Sequence, residues 1–334
     1  MRVTIKDVSR DAGVSIKTVS RVLNKEKYVG EETRKRVEEA VARLHFRPSI
    51  AARSLAGRRS YQIALICDNP SPFYVYEMQL GIRDRCLEDG MRMIAQPYDR
   101  DSESLLEEIE SLVDQTHPDG LILTPPVTDY PAVLALLAER QVRVVRIQPG
   151  TELGLTASTF IDNEAAGAAM TAHLIALGHR RIGFIVGDPS YVVSGQRWAG
   201  YLDALDAAGI AVDSALTREG DFTFPSGVAA TEALLALDRP PTAIFASNDA
   251  MAAGALAVAH RRGMRLPDDL SVAGFDDTTL ATSVWPALTT IRQPMRALAY
   301  QAAALLLAAE ETRERRELPF ELVVRDSTGP VGAG

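Results

Sequence analysis

The segment TIKDVSRDAGVSIKTVSRVLN, residues 4–24, predicts two short helices joined by a tight turn. Gly13 breaks the first helix, and Ser15 can cap the second. A third helix over residues 31–44 would complete an all-α head that contains a helix-turn-helix. The apolar residues of the first two helices recur at helical spacing and would pack inward: Ile5, Val8 and Ala12, then Val19, Val22 and Leu23.

The outer face of the second helix carries side chains that suit the major groove of DNA. Arg21 can present its guanidinium to the O6 and N7 atoms of guanine. Lys17 can reach a guanine or a phosphate, and Ile16 can contact a thymine methyl group. Hydroxyl groups that can donate to phosphate accompany these side chains: Thr4, Thr18 and Ser20.

Charge is divided unevenly along the 334 residues. Residues 1–60 contain 15 Lys and Arg against 7 Asp and Glu, a net charge of +8, whereas the other 274 residues carry −16. A basic head on an acidic body is typical of a nucleic-acid-binding domain joined to a body with another task.

The stretch from Val3 to Asn24 resembles the head of the LacI/GalR (lactose-repressor) family of bacterial transcription regulators. The resemblance implies that Ile16, Lys17 and Arg21 read bases, and it leaves the operator sequence undetermined. It also implies a hinge helix after the head, with Leu55 wedged into the minor groove; about eight residues need a partner to hold a helix. The predicted DNA-binding residues are Thr4, Ser15, Ile16, Lys17, Thr18, Ser20, Arg21, Asn24 and Leu55.

From Tyr61 onward, apolar strands alternate with amphipathic helices in two series. Such alternation predicts parallel sheets with helices on both faces, and two series predict two lobes. The pattern resembles the periplasmic-binding-protein-like body of the same family, so the expected fold is α/β with an all-α head. The expected domains are a helix-turn-helix head over 1–47, a hinge over 48–60, a first lobe over 61–161 and 291–322, and a second lobe over 162–290 and 323–329, with crossings near 161–162, 290–291 and 322–323.

Polar and aromatic side chains follow the predicted strands at their carboxyl ends, where open parallel sheets bind ligands. Carboxylates and a guanidinium can hydrogen-bond pairs of hydroxyl groups, and aromatic faces can cover the C–H side of a sugar ring. The resemblance places Arg197, Phe222, Asn248 and Asp276 at second-lobe effector positions. The predicted effector-binding residues are Asn69, Phe73, Tyr74, Thr124, Asp162, Arg197, Phe222, Asn248 and Asp276.

Sugars and purines are the two effector classes that the resemblance implies. Tyr191, Val192 and Val193 stand where a nucleobase pocket of the family has further polar and basic groups. A sugar or glucoside is therefore the favoured effector, and a nucleobase or nucleoside is the alternative. Induction is the commoner response in the family, but corepression, and activation in place of repression, stay open.

Other function classes find less support in the sequence. A sugar-transport protein would need a signal peptide and no basic head, so we expect a cytoplasmic protein instead. An enzyme could use Asp249 or Asp276 as a base, but no nucleophile motif, Walker loop or Cys/His cluster accompanies them, so we expect no catalysis, metal or cofactor.

Cys67 and Cys86 are expected to be reduced core thiols. No apolar run is long enough to span a membrane. A homodimer on double-stranded operator DNA is expected, because one head reads only half a site.

Overall fold

The computed structural model describes residues 3–23, 28–46, 59–99 and 104–332. The chain divides into two compact units, Met1–Tyr61 and Gln62–Gly334. The predicted hinge over 48–60 lies mostly outside the described residues, and Asn24 and Leu55 lie outside them as well.

The described residues of the first unit form three helices: α1 (Ile5–Ala12), α2 (Ile16–Leu23) and α3 (Glu31–Arg43). Thr4 caps α1, since its backbone N–H and its hydroxyl both donate to Asp7 Oδ2, at 2.9 and 2.7 Å. Gly13 ends α1 with a φ of +63°, and Ser15 Oγ accepts from the Thr18 backbone N–H at 3.1 Å. The helix-turn-helix is confirmed, and its core consists of Val8, Ala12, Val19, Val22, Val37 and Ala40.

The second unit alternates strands and helices along its whole length, as predicted. Its first part contains β1 (Gln62–Cys67), α4 (Pro72–Glu88), β2 (Arg92–Pro97), α5 (Leu105–Thr116), β3 (Leu121–Leu123), α6 (Pro131–Glu139), β4 (Val144–Ile147) and β5 (Ala157–Phe160). The second part contains α7 (Asn163–Ala176), β6 (Ile182–Val186), α8 (Val192–Ala207), β7 (Thr217–Glu219), α9 (Phe224–Leu235), β8 (Ala243–Ala246), α10 (Asp249–Arg261), β9 (Ser271–Asp276) and α11 (Thr279–Ser283). The chain ends with β10 (Thr289–Arg292), α12 (Met295–Leu306), β11 (Arg315–Glu317) and β12 (Glu321–Val323).

These strands form two six-stranded sheets, one in each lobe. The first has the order β11-β5-β4-β3-β1-β2, and the second has the order β12-β10-β9-β8-β6-β7. Every pairing is parallel except that of β10 with β12. Strand order reverses between β1 and β3 in the first sheet and between β6 and β8 in the second, and such reversals open a crevice at the carboxyl ends of the strands.

Two predicted crossings between the lobes lie elsewhere in the structure. Ile291 pairs with Leu322 across β10 and β12, so both residues belong to the second sheet. The chain therefore leaves the second lobe at Gln293–Pro294 and returns between Glu317 and Glu321. Both crossings are displaced by a few residues from their predicted positions, because apolar periodicity does not show which short strands hydrogen-bond to each other.

Disulfide bonds, metal-binding groups and membrane-spanning helices are three further features that bear on function. Cys67 and Cys86 are buried free thiols. Within the described ranges, no group of three or more His, Cys, Asp or Glu side chains is arranged to hold a metal ion. The helices there are all too short or too polar to cross a lipid bilayer.

Candidate functional site: a cleft between the lobes and an exposed helix face

The carboxyl ends of the strands from both sheets line one interlobe cleft. Asn69 follows β1 and Pro125 follows β3 at the reversal of the first sheet, and Asn248 follows β8 at the reversal of the second. Side chains from later strands and from α4 and α8 complete the lining: Tyr74, Gln148, Tyr191, Val193, Arg197, Phe222, Asp276 and Gln293.

Arg197, on α8, is buried beneath the cleft with its guanidinium fixed on three sides. Its Nε donates to Asn163 Oδ1 at 3.0 Å, and its Nη1 donates to the carbonyl of Ser247 at 2.7 Å. The guanidinium also lies 3.7 Å from the centre of the Phe275 ring, a cation–π contact. Burial lowers the pKa of Arg197 to about 10, opposed by the Asp276 carboxylate, so the side chain is a cation at neutral pH.

Asp276 ends β9 and provides the negative charge of the cleft. Burial raises the pKa of Asp276 to about 6, although nearby Arg197 and a hydrogen bond from Gln293 act in the opposite direction. Within the described residues no direct ion pair joins Asp276 to Arg197, so polar groups of a ligand could bridge them.

A second buried carboxylate, Asp249, lies behind the cleft at the start of α10. It accepts from the Thr290 hydroxyl at 2.6 Å, from the Thr278 backbone N–H at 2.7 Å and from the Thr278 hydroxyl at 3.0 Å. Burial, together with the charge of Asp276, raises the pKa of Asp249 well above its usual value. Because its hydrogen bonds are made within the protein, Asp249 stabilises the floor of the cleft and has little left to offer a ligand.

A chain of three amides connects Arg197 to Asp276 and ties the lobes together. Asn163 Nδ2 donates to Gln148 Oε1 at 3.1 Å, and Gln148 Nε2 donates to Gln293 Oε1 at 3.1 Å. Gln293 Nε2 then donates to Asp276 Oδ1 at 2.6 Å. Every donor points from the guanidinium towards the carboxylate, so the hydrogen bonds polarise one another in the same sense.

Aromatic side chains close the other side of the cleft. Tyr191 and Phe222 meet edge to face with ring centroids 5.1 Å apart, and the Tyr191 hydroxyl donates to the carbonyl of Asp68 in the first lobe at 3.2 Å. A Cβ at position 187 would lie 2.1 Å from the Phe222 ring, so only Gly187 lets the ring reach this position. The remaining cavity measures about 30 Å³, which suits water-sized molecules and not a sugar or a base.

Six of the nine predicted effector residues meet in this cleft: Asn69, Tyr74, Arg197, Phe222, Asn248 and Asp276. Their role in binding stays a prediction. The other three lie elsewhere. Thr124 is fully buried and its hydroxyl donates to the carbonyl of Ile66, Asp162 caps α7 by accepting from the Ala165 backbone N–H at 2.8 Å, and Phe73 lines a separate surface cavity with Tyr76.

Five lining residues were missing from the predicted set: Pro125, Gln148, Tyr191, Val193 and Gln293. Gln148 and Gln293 directly follow β4 and β10. The rule that ligands bind at the carboxyl ends of parallel strands could have found Gln148, and it could have found Gln293 had β10 been recognised as a strand.

The predicted DNA-reading side chains lie on the outside of α2. Ile16, Lys17 and Arg21 are exposed, with Ile16 at 44%, although an isoleucine normally prefers burial. Ser15 caps α2 through Thr18, and Thr4 caps α1 through Asp7, so both hydroxyl groups already have local structural roles. Thr18 and Ser20 are half-buried at the edge of this face.

Comparisons with known proteins agree with both halves of this architecture. Residues 4–49 match the family of bacterial regulatory proteins named after lacI, and residues 171–328 match the periplasmic binding protein-like domain. The HTH-type transcriptional regulator DegA of Bacillus subtilis is 35% identical over 339 residues, 99% of each chain. The transcriptional repressor PurR of Erwinia tasmaniensis is 36% identical over 91% of this chain and 89% of its own.

The chain belongs to the LacI family. It is a DNA-binding transcriptional regulator that responds to a small-molecule effector. Among solved LacI-family structures, the Lac repressor dimer bound to operator and the anti-inducer ONPF is 31% identical, with a TM-score of 0.82. The transcriptional regulator CelR in complex with cellobiose is 32% identical, with a TM-score of 0.75. Both alignments cover 98% of this chain and all of the other. The LacI family consists of transcription factors, which supports the regulatory prediction over the transport and enzyme alternatives.

Proposed function

We propose that this regulator is a repressor released from a palindromic operator when a sugar or glucoside binds in the interlobe cleft. The observation that carries the proposal is the separation of Arg197 from Asp276. A buried cation and a buried anion face the same small space without direct contact, and hydroxyl groups can accept from one and donate to the other.

The aromatic side of the cleft favours the same ligand class. Tyr74, Tyr191 and Phe222 offer ring surface to the C–H face of a pyranose. Val193 has no polar group with which to read the edge of a base. The similarity to CelR, whose structure holds cellobiose, supports a carbohydrate. Nucleobases, the alternative that the resemblance in sequence implies, are the comparison to include in any screen.

Binding requires the lobes to part, since a cavity of about 30 Å³ cannot admit a sugar. Re-closure around the ligand would rebuild the contacts of the Gln148–Gln293 pair and of Tyr191 with Asp68 in a new geometry. The effector-bound arrangement differs from this one, and only such a difference can change operator affinity. By linkage, operator DNA must weaken effector binding by the same factor.

We further propose that a homodimer places two α2 helices in successive major grooves of one operator. Dimeric helix-turn-helix proteins read half-sites about one helical turn apart, which accounts for a palindromic target. The similarity to the Lac repressor dimer on its operator supports this arrangement.

The full-length protein tests the proposal in two steps. Cellobiose, lactose, glucose and hypoxanthine are first compared in a thermal-shift screen, in which a ligand at 100 times its Kd adds about 2.7 kcal/mol of stability. The stabilising compound is then added to the protein bound to a duplex selected from a random library, and fluorescence anisotropy follows release. Stabilisation by hypoxanthine alone would contradict the sugar assignment, and a duplex that stays bound would contradict induction.

A further inference from the structure

The backbone that carries Asp276 into the cleft is unusual for residues other than glycine. Asp276 has a φ of +116° and Asp277 a φ of +55°, so two consecutive aspartates lie in the left-handed half of conformational space. Each such residue is unfavourable on its own and persists only where the surroundings hold it. The turn directs Asp276 into the cleft, where it is 6% exposed.

The Asp277 carboxylate forms ion pairs with two arginines, Arg292 at the end of β10 and Arg325 after β12. Arg292 Nε donates to Asp277 Oδ2 at 2.7 Å, and Arg325 Nη2 lies 2.6 Å from Asp277 Oδ1. The Asp277 side chain is only 7% exposed and that of Arg325 only 17%, so water screens this ion pair poorly, whereas the Arg292 side chain is 46% exposed. Both carboxylate oxygens are therefore engaged, and the carboxylate cannot rotate without breaking a charge-assisted hydrogen bond.

Both arginines also form hydrogen bonds with other residues of the second sheet and its flanking segment. Arg292, at the end of β10, pairs with Asp276 on β9 and with Glu321 on β12, and its Nη1 donates to Glu321 Oε2 at 2.5 Å. Arg325 follows β12 and donates through Nη1 to the carbonyl of Leu288 at 2.8 Å. Side chains from the end of β10 and from the segment after β12 thus meet at Asp277, which follows β9.

We propose that Asp277, Arg292 and Arg325 form a clamp that holds Asp276 in the cleft and are positioning residues for effector binding. This inference rests on the effector site proposed above. The three clamp residues do not line the cleft. They determine where the Asp276 carboxylate lies within it. Without it, the turn can relax to ordinary backbone angles, and Asp276 can move out towards water.

The position of Asp276 can be read directly, without an effector, from the titration of its carboxyl group. The groups that face it are Arg197 on α8, Asp249 on α10 and Tyr74 on α4. NMR of the full-length protein labelled with ¹³C at the aspartate carboxyl carbon follows the signal that Asp276→Asn removes. The expected midpoint in the wild-type chain is a pKa of about 6.

Arg325→Gln separates the clamp from a simple charge effect. Loss of a nearby positive charge alone would raise the midpoint of Asp276, whereas release of the side chain into water lowers it towards 3.8, its ordinary value. We expect the midpoint to fall. Arg292→Gln, at a more exposed position, should act in the same direction and serves if Arg325→Gln does not fold. A midpoint at or above the wild-type value in the folded variants would overturn the clamp.

Effector binding supplies the second readout. Arg325→Gln should weaken the sugar selected by the screen about tenfold while operator binding without effector is unchanged. Arg265→Gln is the matched control, because Arg265 forms an exposed surface pair with Asp269 at 2.7 Å and should alter neither quantity. Weak binding in Asp276→Asn with normal binding in Arg325→Gln would overturn the clamp and leave the effector site intact. If no sugar binds the wild-type chain, the proposed effector class is wrong, and the titration still decides the clamp.

Discussion

Replacing Asp276 by Asn should make the protein more stable and less responsive at the same time. In the folded chain burial raises the pKa of Asp276 from 3.8 to about 6. The folded state therefore binds the proton more tightly than the unfolded state, and the stability present below pH 3.8 is lost as pH rises through about 6. A pKa shift of about two units corresponds to roughly 3 kcal/mol of folding stability, which the wild-type chain loses when Asp276 ionises. A neutral Asn at this position would not cause that loss.

The hydrogen bond from Gln293 survives this change, because the Asn carbonyl oxygen can still accept from Gln293 Nε2. We expect Asp276→Asn to unfold with a free energy up to roughly 3 kcal/mol above that of the wild-type chain at pH 8, and about half of that at pH 5. Effector affinity should fall ~30-fold, because a hydrogen bond to a charged group contributes about 2 kcal/mol. Urea unfolding of the full-length protein at both pH values, and calorimetry with the selected sugar, measure the two effects.

Asp162→Asn is the matched control. Asp162 caps α7, Asn caps a helix equally well, and the residue does not line the cleft. This variant should resemble the wild-type chain in stability at both pH values and in sugar affinity. The reasoning is refuted if Asp276→Asn keeps full sugar affinity, or if its stability relative to the wild-type chain does not change between pH 5 and pH 8.

The remaining predictions concern lobe closure, DNA reading and a buried arginine. A Cβ at Gly150 would lie 2.1 Å from Val192 on the opposite lobe, so Gly150→Ala should hold the lobes apart and increase the radius of gyration in small-angle scattering. Gly154→Ala is the control, because a Cβ there would meet no atom within 4 Å. Identical scattering from both variants would contradict the closure argument. Arg21→Ala should cost about 1–3 kcal/mol of preference for the selected operator over genomic competitor in a competition assay, with sugar binding intact, and unchanged preference would contradict the groove assignment. Arg146 is fully buried and donates to three backbone carbonyls. Arg146→Met should therefore lower the free energy of unfolding, measured by urea denaturation, by about 3 kcal/mol. A loss below about 1 kcal/mol would show that those carbonyls find other donors.

The predicted site was incomplete where neighbouring positions point in different directions. Phe73 and Tyr74 are adjacent on α4, yet only Tyr74 lines the cleft, because successive helix residues are turned by about 100°. Thr124 follows a strand as predicted, but its hydroxyl donates to the carbonyl of Ile66 on the neighbouring strand β1. Gln148 and Gln293 escaped notice because a glutamine after a strand resembles any polar turn residue until its partner in the other lobe is known.

The amino-acid sequence alone determined the helix-turn-helix, the strand–helix alternation and the two-lobed body, because helix and strand periods, caps and helix-breaking glycines act over a few residues. Only the tertiary structure decided which strand ends meet and that Asp277 is held by Arg292 and Arg325. It also decided that Asp276 and Arg197 line one cleft with no ion pair between them among the described residues. Those relations join residues far apart in the chain, such as Gln148 and Gln293, which are 145 positions apart. They depend on sheet order and on how the lobes close, which no local pattern of residues encodes.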